Sequence, residues 1–189
     1  MKVTKITNLP VQDNEGRVYY TVRVDTDAGI HGLGEVGISN WGRAIANAVD
    51  HLGELVIGAD PWETERLWQE MFRSGYFPAD KVYCCAISAI DIALWDIKGK
   101  SVNMPTYKLL GGPVREKVVC YPHIRGTDKE QIIEGSKRAV EEGWKFVRWG
   151  QPDPWGSFEP GGISILEPDK SMRLAVDLMG EVREAVGPE

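Results

Sequence analysis

Three side chains in this chain have the types and settings to handle a small anionic substrate. His123 stands in YPHIRG just past the short apolar run KVVCY, Lys117 to Tyr121. Arg148 stands in WKFVRWG, Trp144 to Gly150, near the end of another such run, and Asn40 lies in SNWGR just ahead of a helix-patterned stretch. A histidine exchanges protons near neutrality, an arginine is a permanent planar cation matched to carboxylates, and an asparagine both donates and accepts hydrogen bonds. Each also has a plainer reading. His123 could be a loop residue bonded to backbone, Arg148 half of an internal salt bridge, and Asn40 or Ser39 the cap of the helix that follows.

Other patterns carry less. Asp91 and Asp96 are five apart, which does not align two carboxylates on one helical face as three or four would, so they read as structural aspartates rather than a metal pair. GLGEVG lacks the dinucleotide spacing of glycines, no phosphate-binding G-x-x-x-x-G-K is present, and no Cys/His zinc spacing or G-x-S-x-G elbow occurs.

The elements that must position these residues follow from periodicity. Residues 2–11, 17–26 and 30–36 are rich in Val, Ile, Thr and Tyr, and predict a meander of about three strands; the glycines of IHGLGEV mark a close approach or bend. Arg43 to Ile57 predicts an amphipathic helix with Ala44, Ile45, Ala48, Val49, Leu52, Leu55 and Val56 inward. DPWE at 60–63 reads as a capping box opening a second helix, with Leu67, Trp68, Met71 and Phe72 buried. SGYFPAD breaks the pattern. Residues 83–97 are apolar almost all round, so a helix there is buried on most faces, with Gly99 placed to stop it.

After Gly112 the grammar changes. KVVCY predicts a strand, Thr127 with Glu130 a capping box for a helix with Ile132, Ile133, Ser136, Ala139 and Val140 inward, and WKFVRW the next strand. A loop of about 19 residues from Gly150 to Pro168, long enough to suspect of function, precedes a helix with Ala175, Leu178, Met179, Val182, Ala185 and Val186 inward. This β-α-β-α order is that of a parallel sheet. The expected organisation is an α+β domain over 1–115, then an incomplete (β/α) barrel over 116–189, since two βα units cannot close a barrel.

Of 189 residues 42% are hydrophobic and 26% charged, with net charge -6, which is ordinary for a globular protein and argues against nucleic-acid or anionic membrane partners. Three cysteines, two of them adjacent, make a poor disulfide framework. No signal-peptide pattern or bilayer-length apolar run is seen, and the expectation is a cytoplasmic protein.

AIDIALWDIKGKSVNMPTYKLLGG, Ala89 to Gly112, resembles the segment joining cap to barrel in the enolase superfamily, in the mandelate racemase/muconate lactonizing enzyme branch, and TDAGIHGLGE resembles its hairpin ending in Glu35. The resemblance covers essentially the whole chain. It implies an α+β capping domain followed by a modified TIM barrel, with Mg²⁺ held by carboxylates of the third, fourth and fifth barrel strands. None of those ligands falls within this chain, and they are expected beyond Glu189. The superfamily's racemases carry lysines two apart on the second strand, where this chain has Arg148 and Gly150.

VVCYPHIRG and WKFVRWG instead resemble the mannonate/galactonate-type sugar-acid dehydratases. Carried over, Arg148 matches the catalytic arginine assisting the base, while His123 and Asn40 match the substrate-binding residues. That group pairs its arginine with a tyrosine in the following loop, and no tyrosine follows Tyr121 here. The resemblance thus implies the N-terminal part of a Mg²⁺-dependent dehydratase of a small sugar acid, homo-oligomeric when full length, with the 189-residue piece inactive. The alternatives are a racemase or epimerase of the same superfamily, or a non-catalytic truncated domain.

Overall fold

The computed structural model describes residues 1–37, 41–150 and 168–187. Two compact units divide the chain, Met1–Val114 and Arg115–Glu189.

In the first unit, strand β1 (Val3–Gln12) pairs antiparallel with β2 (Val18–Thr26), and β2 with β3 (His31–Glu35), giving the sheet order β1-β2-β3. The β1–β2 turn is closed by Asp13, whose carboxylate accepts from the amides of Glu15 and Arg17 at 3.0 and 2.8 Å, with Gly16 taking φ +84°. Val22 and Val24 of the central strand alternate inward and are fully buried. They meet helices α1 (Gly42–Val56), α2 (Thr64–Phe72) and α3 (Lys81–Ser101) in one core containing Ile45, Leu52, Leu67, Ile90 and Leu94. The three strands and the inward faces of α1 and α2 follow the sequence pattern, except that Ala44 and Leu55 are exposed.

Helix α3 is the axis of this unit. Asp80 caps it, accepting from the amides of Val82 and Tyr83 at 3.0 and 3.1 Å. Strand β3 lies so close to it that a Cβ on Gly32 or Gly34 would stand 1.9 Å from the carbonyl oxygen of Ala93 or Ala89. The close approach expected of this glycine-rich strand is therefore real, and Ala89 and Ala93 are the small residues that receive it. Asp96 then covers the strand's outer edge: it accepts from the Leu33 amide at 2.9 Å and from Lys100 Nζ at 2.7 Å, while Lys100 also donates to the His31 carbonyl at 2.8 Å. Asp96 is a satisfied structural aspartate, as its spacing suggested.

Two expectations about helix ends fail for one reason: the local pattern omits what packs there. Gly99 does not stop α3, which continues to Ser101. A side chain at Gly99 would stand 2.8 Å from the Met104 carbonyl oxygen, so the glycine admits the returning chain, and the reversal falls at Asn103, φ +50°. Nor does DPWE open α2. Asp60 accepts from the Trp62 amide at 3.0 Å and its carbonyl from Glu63 N at 3.1 Å, making a turn, and the helix begins at Thr64.

The turn places Trp62 beside a buried lysine. Lys98, 8% exposed, donates to Thr64 Oγ1 at 2.8 Å and lies 4.4 Å from the Trp95 ring centroid and 5.6 Å from that of Trp62. A short helix α4 (Thr106–Leu109) ends this unit's regular structure.

In the second unit, β4 (His123–Ile124) pairs parallel with β5 (Arg148–Trp149), and helices α5 (Lys129–Glu141) and α6 (Pro168–Val186) pack together around Ile132, Leu178 and Val182. The β-α-β-α order is the expected one, and it forms the start of a parallel βα region. Its strands are much shorter than the apolar runs implied. Lys117 to Tyr121 is not strand, and Val118 and Val119 are 79% and 61% exposed, because an apolar run becomes a strand only where a neighbour completes its ladder. The cap of α5 is shifted by one residue: Asp128, not Thr127, accepts from the Gln131 amide at 2.8 Å, and Gln131 Oε1 accepts from the Thr127 amide at 3.2 Å. Val140 on α5 and Ala175 and Met179 on α6 are exposed, narrowing the inward faces expected there. The long loop expected over 150–168 lies almost wholly outside the described residues.

Candidate functional site

His123 and Arg148 occupy matching positions on neighbouring parallel strands. Both are exposed, while the residues one position on, Ile124 and Trp149, pack against the Ile132–Leu178–Val182 cluster. Strand alternation produces this division, with one residue of each pair turned to the helices and the other to the opposite face. The Arg148 amide donates to the Pro122 carbonyl at 3.1 Å, which fixes the register. Behind β4 the helix comes close: a Cβ on Gly135 would stand 2.5 Å from Ile124 Cγ2, so that glycine lets α5 seat against the strand.

No side-chain hydrogen bond or ion pair to Arg148 occurs among the described residues. The salt-bridge reading of this arginine therefore finds no partner there, and the strand register sets it opposite His123. Such a pair can orient a carboxylate or a hydroxyl.

Asn40 falls outside the described residues, so only its sequence neighbours can be placed. Helix α1 begins at Gly42 with Trp41 in the N-cap position and no side-chain cap bond, so the cap expected of Ser39 or Asn40 is not the one observed. The Tyr20 ring explains Gly42, since a Cβ there would stand 2.3 Å from Tyr20 Cε2. Around this helix start lies a cleft of about 860 Å³ lined by Arg17, Tyr20, Trp41 and Arg43. Sequence reasoning did not single out these four, because two arginines on separate elements show no periodicity.

Among the described residues no group of three or more His, Cys, Asp or Glu comes together to hold an ion, and Asp91 and Asp96 do not form one. Asp91 is held above the usual carboxylate range, first by its burial and then by the nearby Glu65.

Comparisons with known proteins place this architecture. Residues 4–111 match the mandelate racemase/muconate lactonizing enzyme N-terminal domain. The chain is 34% identical over 187 residues to a D-galactonate dehydratase of Pectobacterium atrosepticum, covering 99% of this chain and 46% of that protein. It is 32% identical over 191 residues to RspA, a D-galactonate dehydratase family member of Cellvibrio japonicus, covering 92% and 48%. The chain thus spans about half the length of the curated relatives it matches.

Solved structures agree. An enolase superfamily member from Salmonella Typhimurium aligns with TM-score 0.82 at 32% identity, over 99% of this chain and 52% of that one. An enolase of Pantoea ananatis, solved with bound D-gluconate and Mg, aligns with TM-score 0.80 at 25% identity, over 98% and 51%. The meander packed on a buried helix in the first unit, the start of a parallel βα region in the second, and these matches together establish that the chain belongs to the mandelate racemase/muconate lactonizing enzyme family of the enolase superfamily.

Proposed function

We propose that this chain is the N-terminal part of a sugar-acid dehydratase, an enzyme that removes the proton beside an aldonate carboxylate and expels water from the next carbon. The observation that carries this reading is the pairing of an uncommitted Arg148 with His123 on one exposed strand face, in a chain whose relatives include D-galactonate dehydratases.

In this reading Arg148 keeps a fixed positive charge beside the reacting carbon, assists the base and stabilises the negative charge that develops as the proton leaves. His123 binds a substrate hydroxyl, and Asn40 contacts the substrate. Arg148 and Gly150 replace the paired lysines of a racemase, which favours elimination over inversion. The overall change balances as loss of the α-proton and the adjacent hydroxyl as water, with the resulting enol becoming a 2-keto-3-deoxy acid.

Mg²⁺, present in one solved neighbour, supplies charge stabilisation in such sites when bound. The described residues offer it no donor set, so its ligands lie elsewhere in the whole protein, and the 189-residue chain alone is inactive. The whole protein is a cytoplasmic homo-oligomer acting on a small sugar acid.

The test is to assay the longer gene product with Mg²⁺ against a panel of aldonic acids for 2-keto-3-deoxy product. Racemization or cycloisomerization without that product would sink the reading. Deuterium exchange at the α-carbon without elimination would establish the racemase or epimerase instead.

A further inference from the structure

Exposure alternates residue by residue through β4, β5 and their flanks. Tyr121, His123 and Arg125 are exposed, while Pro122, Ile124 and Gly126 are partly buried. On the neighbouring strand Phe146, Arg148 and Gly150 are exposed, while Val147 and Trp149 are partly buried. The face that carries His123 and Arg148 therefore runs beyond that pair, to the two aromatics on one side and to Arg125 and Gly150 on the other.

The dehydratase chemistry uses His123 and Arg148 but gives Arg125 no part. His123 is paired with Arg148 and Ile124 with Trp149, so the next rung of the register sets Arg125 opposite Gly150. That glycine brings no side chain into the space, and a Cβ built on it meets nothing within 4 Å. The backbone presenting Arg125 is held on both sides. Ile124 packs against the Ile132–Leu178–Val182 cluster. A Cβ on Gly126 would stand 2.9 Å from Gln131 Cβ and 3.0 Å from Ile132 Cδ1, so that glycine is seated against the first turn of α5.

Charge singles out this end of the face. In a chain of net charge -6, the six exposed positions hold two arginines, one histidine and no carboxylate. No side-chain hydrogen bond or ion pair to Arg125 occurs among the described residues. Arg148 already answers to the charge that develops at the reacting carbon. Arg125 stands two residues further toward the C-terminal ends of the strands, about 6.6 Å on at a rise of about 3.3 Å per residue. A chain of several sugar carbons spans that separation, whereas the carboxylate next to the reacting carbon is only one bond away from it.

We infer that Arg125 reads a second negative charge at the far end of the substrate, so that the substrate class is a sugar acid with an oxyanion at each end. The terminal carboxylate of an aldarate, or a terminal phosphate, accepts two parallel bonds from the guanidinium fork. The primary alcohol of a simple aldonate has no second oxygen to offer, and it leaves the cation without its counter-charge.

This narrows the substrate of the proposed dehydratase and rests on that reading for its chemistry. The experiment takes the longer gene product with Mg²⁺ and three acids of matched configuration: an aldonate, the corresponding aldarate, and the aldonate bearing a terminal phosphate. Both kcat/KM and, by titration calorimetry, affinity are measured for each. A doubly anionic acid is expected to exceed the aldonate about 10–100-fold, the scale of a charge-assisted hydrogen bond; whether carboxylate or phosphate leads identifies the second oxyanion. Arg125→Gln should remove most of that preference, with circular dichroism unchanged. Arg125→Lys should restore part of it, keeping the charge without the fork, and Lys137→Gln, an exposed cation on α5, should not alter it. Equal handling of all three acids by the parent, or an Arg125→Gln loss that falls on all three alike, overturns the inference. In that case 2-keto-3-deoxy product from the aldonate leaves the dehydratase reading intact. An Arg125-dependent binding preference with no such product from any acid upholds Arg125 and overturns the dehydratase.

Discussion

His123 and Arg148 sit opposite one another on adjacent parallel strands, both turned away from the helices that bury Ile124 and Trp149. Substitution should therefore separate them by kinetics rather than by stability. In the longer gene product, Arg148→Gln is expected to lower kcat about 10²–10³-fold, the effect of removing a charge that acts on the transition state. His123→Ala should chiefly raise KM, by about tenfold for one lost substrate hydrogen bond. Both side chains are exposed, so circular dichroism and melting temperature should hardly change. Equal loss of folding and activity would show that the pair is structural.

The packing of β3 on α3 gives a sharper stability prediction. Gly34→Ala places a methyl 1.9 Å from a backbone carbonyl oxygen that cannot move without displacing the whole helix, and Gly32→Ala does the same one turn on. Each should cost at least about 3 kcal/mol, the upper range for overpacking and above most single substitutions. Gly37→Ala is the matched control in the same unit, since nothing lies within 4 Å of its new methyl, and it should shift stability by no more than about 0.5 kcal/mol. Urea titrations of the three variants decide the point.

The buried lysine sets a pH dependence whose sign can be worked out. Burial pushes the Lys98 ammonium below its ordinary value of 10.5, against the attraction of Asp91, Glu65 and Asp60, which face it. Between the depressed value and 10.5 the unfolded chain holds more protons than the native one, so stability rises with pH across that window. Below the window the cost of burying the charge is fully present. Asp91 behaves as the mirror image: burial raises it above 3.8, so stability falls as pH rises from 3.8 through the native value. The melting-temperature difference between the parent and Lys98→Met should therefore change through the alkaline window. The difference between the parent and Asp91→Asn should change on the acid side. Flat difference curves would show that neither group's burial is felt.

Much of the first unit was legible because its signals are local. Alternation in VYYTVRVDT marked β2, and helical spacing from Ile45 to Val56 marked α1. The glycines of IHGLGEV announced a close approach before the helix it approaches was known. The failures share a cause. Gly99 looks like a stop because glycine ends many helices, yet here it admits the returning Met104 carbonyl. DPWE looks like a cap because its residues fit one, yet Asp60 spends its carboxylate on a turn. Val118 and Val119 look like strand because they are β-branched, yet no ladder partner meets them among the described residues.

The candidate site shows the same boundary. Residue types and family resemblance were enough to choose Asn40, His123 and Arg148, since chemistry and motif spacing are written in order along the chain. Three further facts were not: that His123 and Arg148 share a register and a face, that no carboxylate neutralises Arg148 among the described residues, and that Arg17 and Arg43 converge on one cleft. Each depends on strands and helices distant in sequence being brought together, and such pairing is settled by long-range packing, to which a local pattern of side chains is blind.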